Sequence, residues 1–247
     1  MQISSIKTRP VTTEDRDLFA ILDEFLPALT EGAVVAVTSK IVALCEGSTV
    51  PVDEADKAEL IKSEAEWYLP PESNPYNITL TIKRGLLVPT AGIDESNTGG
   101  AYVLWPFDPQ KSANDIRKHL REKHGLQNLG VIMTDSKTTP LRKGVTGVAI
   151  AHSGFYALKN YIGEPDIFGK EMRVTKANIA DALAVATVVS MGEGNEQTPL
   201  AVVTDAPFVA FNDADPDEAE LRELTIPIEE DLYGTIIKNA PWQKGGA

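Results

Sequence analysis

The chain has 247 residues, 43% of them hydrophobic and 24% charged, with a formal net charge of -13. That length suits one large domain or two small ones, and the composition is that of a globular chain with room for a sizeable core. The acidity argues against nucleic acid as the main partner, because a phosphate backbone needs a basic footprint; it leaves nucleotides open, since a divalent cation inverts local electrostatics.

Residues 15–29 carry Leu18, Phe19, Ile21, Leu22, Phe25 and Leu26, the stripe of an amphipathic helix. Residues 33–37 form an almost continuous apolar strand that ends at Thr38-Ser39-Lys40. Residues 54–68 read as a charged surface helix, closed by Pro70-Pro71 and the loop over 70–77. That loop is also where a two-lobed organisation of a single domain spanning 1–247 would divide. Residues 78–82 alternate apolar residues with threonine, as a strand does, and 86–89 supply a hairpin partner. Ser112 and Asp115 resemble a capping box that opens a helix running to Gly125. Residues 131–134 and 145–151 read as strands flanking a turn at Asp135. Residues 178–190 form a helix with little polar surface, ended by Gly192, and 200–204 a last buried strand.

Strands and helices mix without the alternation of a doubly wound sheet, and no Gly-rich strand-to-helix turn of the phosphate-loop type occurs. The expected class is α+β with a mixed or antiparallel sheet. Cys45, the one cysteine, excludes an internal disulfide and a Cys-based zinc cluster and suits a reducing cytoplasm. The first seven residues hold no apolar signal core, and no run approaches a membrane span, so a soluble, cytoplasmic protein is expected.

Three segments set a carboxylate among small or turn-forming residues: Gly92-Ile93-Asp94, Met133-Thr134-Asp135 and Gly192-Glu193-Gly194. Asp94, Asp135 and Glu193 together offer a hard, all-oxygen cage suited to Mg²⁺ or Mn²⁺. Taken singly, each is as well read as a turn or loop acid. Lys40, Arg142 and Lys143 lie near turn signals and suit phosphate oxygens. His119 and His124 read as solvated, and Cys45 as a small buried hydrophobe. His152, beside Ser153-Gly154, belongs to no Ser-His-Asp order. The acidic run 213–223 reads as a solvated face.

Taken in order, several segments resemble the coenzyme F420-0:L-glutamate ligase family. They are Val37-Thr38-Ser39-Lys40-Ile41-Val42 with Glu46-Gly47, Ala91-Gly92-Ile93-Asp94 with Ser96-Asn97, and Asp108-Pro109 with Ser112-Ala113. Gly130-Val131-Ile132 running into Asp135, Ser153-Gly154, Tyr161-Ile162-Gly163, Asp166 with Gly169, and Ile179-Ala180-Asp181 through Met191-Gly192 complete the series. The resemblance implies a GTP-dependent ligase that joins L-glutamate to a small-molecule carboxylate acceptor. It also implies an intertwined α+β homodimer and two divalent ions, Mn²⁺ or Mg²⁺; K⁺ is a further candidate ion. It places one divalent ion on Asp94 and Asp135 and the other on Ser136 and Glu193, with Asp94, Asp135 and Glu193 serving catalysis. Its nucleotide contacts fall on Arg9, Pro10, Val11, Thr12, Ser39, Lys40 and Asn97. They continue through Met191, Gly192, Glu193, Gly194, Asn195, Glu196, Gln197 and Thr198.

This chain departs from the family pattern at three places. Leu44 stands where a lysine is usual; Ser136-Lys137-Thr138-Thr139-Pro140-Leu141-Arg142 replaces Thr-x-Gly-Arg-Pro-Trp-Arg; and a histidine common before Asp94 is absent. Two acceptors therefore stay open, a deazaflavin coenzyme precursor and a folate-like glutamyl tail. A nucleotide-binding regulator without catalysis is the alternative from another class. A phosphatase using Asp135 ranks lower, because Lys137 occupies the place of the second acid it needs.

Overall fold

The computed structural model describes every residue from Met1 to Ala247. In chain order its elements are β1 (Gln2–Ile6), α1 (Leu18–Phe25), β2 (Ala33–Thr38), α2 (Ser39–Glu46), β3 (Thr49–Pro51), α3 (Lys57–Glu64) and β4 (Trp67–Leu69). Then come β5 (Leu80–Lys83), β6 (Leu86–Pro89), β7 (Ala101–Val103), α4 (Pro109–His124), β8 (Leu129–Thr138) and β9 (Val145–Ser153). The last are β10 (Leu158–Asn160), β11 (Lys176–Asn178), α5 (Ile179–Met191), β12 (Leu200–Thr204), α6 (Glu218–Leu224), α7 (Gly234–Lys238) and β13 (Gln243–Lys244).

The central sheet has the order β1-β12-β2-β8-β9, with β2 and β8 parallel and the other pairs antiparallel. It is buried on both faces, which is why β2 reads as a continuous apolar run instead of an alternating one. Val35, Val37, Val131 and Met133 pack on one side against Leu22 of α1, Ile41 and Val42 of α2 and Ile116 and Leu120 of α4. Val34, Ala36, Ile132 and Val203 pack on the other against Leu183, Ala184 and Val188 of α5. A second sheet, β13-β4-β5-β6, lies with α3 around a smaller core of Ile61, Ala65, Ala91, Ile93 and Tyr102. The class is α+β with a mixed sheet, as expected.

Several boundaries differ from the sequence reading for identifiable reasons. The first helix is shorter than 15–29, because the Asp17 carboxylate accepts from the Ala20 N–H and starts it at Leu18. After Thr38 the chain enters α2, whose helical stripe follows the strand without a break and ends on left-handed Gly47. The expected helix over 54–68 stops at Glu64, and Trp67-Tyr68-Leu69 pairs as β4, where aromatic residues suit a pleated surface. The expected 78–82 strand is β5, two residues later in its start. The cap of α4 is Asp108 with Pro109 at the first helical position; Ser112 instead donates to the Glu46 carboxylate. Asp135 lies in no turn: β8 runs on to Thr138, with a bulge between Met133 and Thr134. The acidic run is not simply solvated either. Asp213 pairs with Arg121 at 2.7 Å, Asp215 with buried Arg117 at 3.4 Å, and Glu220 faces the buried His152 ring at 3.4 Å.

Helix α5 and strand β9 meet at Gly147, where a Cβ would stand 2.3 Å from the Ala184 carbonyl oxygen. That close approach sets the distance between the sheet and the loop that follows α5. Gly147→Ala is expected to force the two apart and cost about 1–3 kcal/mol, read as a lower thermal midpoint. An unchanged midpoint would show that α5 gives way freely there.

Candidate active site

Strand β2 ends at Thr38, where its partner β8 continues past Thr134 toward Asp135. Beyond this step opens a cavity of about 420 Å³. Its walls are Arg9, Pro10 and Val11 after β1, Ser39 and Lys40 at the start of α2, and Asp94 with Asn97. Asp135 and Ser136 of β8 and residues 191–198 complete the enclosure. A cleft outside the carboxyl ends of parallel strands, where a helix begins, is a general place for ligands in such sheets. Of the residues the family resemblance placed at the nucleotide and metals, Thr12 alone stays outside the lining; its N–H donates to Asp15 at 2.8 Å. Arg9 also turns to Asp15, 2.6 Å away.

The Asp94 loop is held from both sides. The backbone of Asp94 exchanges hydrogen bonds with Val103 at 2.9 and 2.8 Å. One carboxylate oxygen closes an Asx turn by accepting from the Ser96 N–H at 2.7 Å, and the other meets the Lys40 ammonium at 2.7 Å. Asp94 is thus a turn residue, as one reading of it had it, and its other oxygen is paired with a cation. Asn97 donates to the Gly194 carbonyl at 3.0 Å and ties this loop to the one after α5. There, Gly192 takes a left-side φ of +83°, and the Gly194 N–H donates to Glu196 at 2.8 Å. Thr8 donates its N–H to the Gln197 carbonyl at 2.9 Å, joining the first wall to the last.

Asp135 is half-buried in the cavity wall, and desolvation pushes its carboxyl up to about 6, against the pull of the Trp105 indole N–H and the Ser136 backbone N–H. Asp94 adds to the rise by like-charge repulsion. Burial also raises Glu193, opposed by the Ser136 hydroxyl and Lys40 and reinforced by Asp94 and Glu196. Burial works on Asp94 in the same direction, but the Lys40 ammonium overrides it and holds that carboxyl below its ordinary value. Three carboxylates thus feel one another and share a single effective cation.

The donors present suit hard divalent ions in chemistry and in charge. The Thr134 hydroxyl adds a buried polar atom without a partner beside Asp135, on the same cavity wall. Geometry corrects the idea of one cage: no three carboxylate, imidazole or thiol groups converge as a metal cluster. Asp94 stands near enough to raise both Asp135 and Glu193, and the Ser136 hydroxyl opposes the rise of Glu193.

Other candidates lie elsewhere. Leu141 is fully exposed at the tip of the β8–β9 hairpin, and Arg142 and Lys143 are exposed there, outside the cavity lining. Leu44 differs from these: it is buried with Ala43 and Val103 and also lines the cavity, so the usual cationic position presents an apolar side chain there. Cys45 is buried on α2, its thiol pushed up to about 11 by desolvation. His152 is fully buried away from the cavity, and His119 and His124 are half-buried instead of solvated: His119 stacks on Phe19, and the His124 ring accepts from the Leu29 N–H. Sequence reading missed Thr8, Thr38, Thr134 and Trp105. The three threonines have ordinary strand and loop contexts, and Trp105 follows a short strand with no motif around it.

A model of the F420-0:gamma-glutamyl ligase family matches residues 5–205. A coenzyme F420:L-glutamate ligase of Methanococcus maripaludis strain C7 is 43% identical over 159 residues, 64% of this chain and 61% of that protein's length. The Methanopyrus kandleri ligase of the same name is 32% identical over 223 residues, covering 81% of this chain and 87% of its own. The one from Archaeoglobus fulgidus is 31% identical over 254 residues, covering 96% and 98%.

Lys40 balances three acids, so its removal has opposite effects on two ligands. Lys40→Met is expected to tighten Mn²⁺ binding to the nucleotide-free protein about 2- to 5-fold, the scale of a half-exposed ion pair, while weakening GTP in the presence of Mn²⁺. Calorimetry with each ligand reads both. Weaker Mn²⁺ binding in the variant would show that the ammonium does not compete with the ion.

Proposed function

The chain belongs to the F420-0:gamma-glutamyl ligase family, and on that premise we propose that it joins L-glutamate to an F420-type deazaflavin acceptor through a gamma-linked amide, with GTP and divalent cations. A carboxylate is a poor electrophile, so its oxygen must first become a leaving group. In the proposed reaction a carboxylate oxygen of the acceptor takes the terminal phosphoryl group of GTP, giving an acyl phosphate and GDP. The amine of L-glutamate then attacks the acyl carbon, the C–O bond to phosphate breaks, and inorganic phosphate leaves with the amide formed.

Such chemistry asks the protein for positioning and charge stabilisation and for no covalent nucleophile. That suits a cavity with no accessible thiol or imidazole, since Cys45 and His152 are both buried. Ser39 and Lys40, at the start of α2, offer helix N-terminal N–H groups and an ammonium to phosphate oxygens. Residues 191–198 form the opposite wall, where a nucleotide would lie along the backbone of a Gly-containing loop. Asp94 with Asp135, and Ser136 with Glu193, would hold the divalent ions, whose part is to neutralise charge on the phosphates. The deazaflavin acceptor is favoured over a folate-like one because the similar ligases are named for coenzyme F420; of the departures from the family pattern, residues 137–142 lie outside the cavity lining, while Ser136 and Leu44 belong to it. The observation that carries the proposal is the single cavity shared by the three acids, Lys40 and the loop after α5.

The test is incubation with GTP, Mn²⁺, L-glutamate and either acceptor, followed by mass spectrometry. A glutamyl adduct on the deazaflavin precursor, with GDP and phosphate in equal amount, is expected, and Asp135→Asn should abolish it with the fold intact. Phosphate release without adduct would indicate a hydrolase. Tight GTP binding with neither product would indicate a regulator.

A further inference from the structure

We infer that Trp105 is a positioning residue that sets the spacing of Asp94 and Asp135, fixing the second carboxylate by its indole N–H while the loop of the first packs on its ring. Trp105 is 3% exposed and forms no part of the cavity wall, so it stands behind Asp135 and does not meet a ligand. Its Nε1–H donates to Asp135 Oδ2 at 2.5 Å, and the Ser136 N–H donates to Oδ1 at 2.8 Å. An indole N–H only donates, and an ionised carboxylate offers roughly four acceptor positions. The two bonds therefore orient the group and leave acceptor capacity directed elsewhere.

The same three-residue stretch reaches the other acid. Val103, two residues before Trp105, exchanges both backbone bonds with Asp94 at 2.9 and 2.8 Å. Gly92, two residues before Asp94, lies directly on the indole: a Cβ there would stand 2.2 Å from Nε1. Glycine is required on both counts, since Gly92 also has φ +72°. The tryptophan is itself fastened. The buried Ser48 hydroxyl donates to its carbonyl at 2.8 Å, and the Lys83 ammonium stands 5.4 Å from the ring centroid. Lys83 is in turn paired with Glu64 at 2.8 Å. Backbone, ring edge and ring face are all constrained, which is what a spacer between two ligand-bearing segments needs.

This inference rests on the proposed divalent-cation site, and its test separates the two. Mn²⁺ is titrated by calorimetry into the wild type, Trp105→Phe, and the double variant Trp67→Phe/Trp242→Phe, in which Trp105 is the one remaining tryptophan. Trp105→Phe should weaken Mn²⁺ binding roughly 10- to 100-fold, the usual effect of removing a partner of a metal-binding side chain, with its circular dichroism unchanged. The double variant should keep wild-type affinity, and its fluorescence should be quenched by the paramagnetic ion in step with the calorimetric isotherm. That second readout stands even if Trp105→Phe folds poorly. Equal affinity in Trp105→Phe, or saturation by Mn²⁺ without quenching in the double variant, would overturn the positioning role and leave the cation site intact. No Mn²⁺ binding by the wild type would overturn the cation site and the inference with it.

Discussion

The contact between the Lys40 ammonium and Asp94, 2.7 Å apart, is the one close ion pair between two wall residues of a cavity where Asp135 and Glu193 also carry acid groups. Lys40 lowers all three acids, while Asp94 raises both of the others. A low-dielectric pocket with more acid than base is costly unless protons or cations make up the difference. Asp135 shows the first remedy, its carboxyl raised to about 6 by desolvation. The second remedy is the divalent ion we propose, which would bring a nucleotide phosphate with it. In a chain of net charge -13, that is the economical way to hold a polyanion.

The scaffold serves this arrangement by bringing distant segments to one edge of one sheet. The parallel pair β2 and β8 delivers Lys40 and Asp135 side by side, because Thr38 and Thr134 are register partners. The bulge after Met133 re-aims β8 as it enters the cavity, a common use of such irregularities. Helix α5, seated on the opposite face of the sheet through Gly147, carries Glu193 to the same place. The Asp94 loop arrives from the second sheet and is fastened by Val103 and Asn97. None of these attachments is a covalent link, so the site's geometry is as stable as the packing between layers.

Much of the fold was legible wherever hydrophobic pattern and local chemistry agreed. Strand β2, helix α5 with its Asn178 cap and Gly192 end, and strand β12 all follow from apolar runs bounded by turn residues. Helix α2 was not legible, because its stripe of Ile41, Val42, Leu44 and Cys45 continues a strand of the same composition. Helix α4 was found with its start misplaced, since Asp108-Pro109 and Ser112-Asp115 both look like helix openings and only contact with Glu46 distinguishes them. The candidate site residues were legible as short acidic and glycine-bearing segments in a familiar order. Trp105 was not legible, because its importance lies in contacts with residues as far apart in sequence as Ser48 and Asp135.

Membership of the gamma-glutamyl ligase family accounts for an amide-forming activity, and the cavity's charge is the ground for the cation dependence we propose. The most direct measurement is calorimetry of GTP binding to the wild-type protein with Mn²⁺ and, separately, with EDTA. The account predicts a saturable isotherm with Mn²⁺ and loss of measurable binding in EDTA, because bare triphosphate meets an excess of carboxylate. Equal affinity in the two conditions would contradict it, and would mean that Lys40 and the N-terminus of α2 hold the phosphates without any metal.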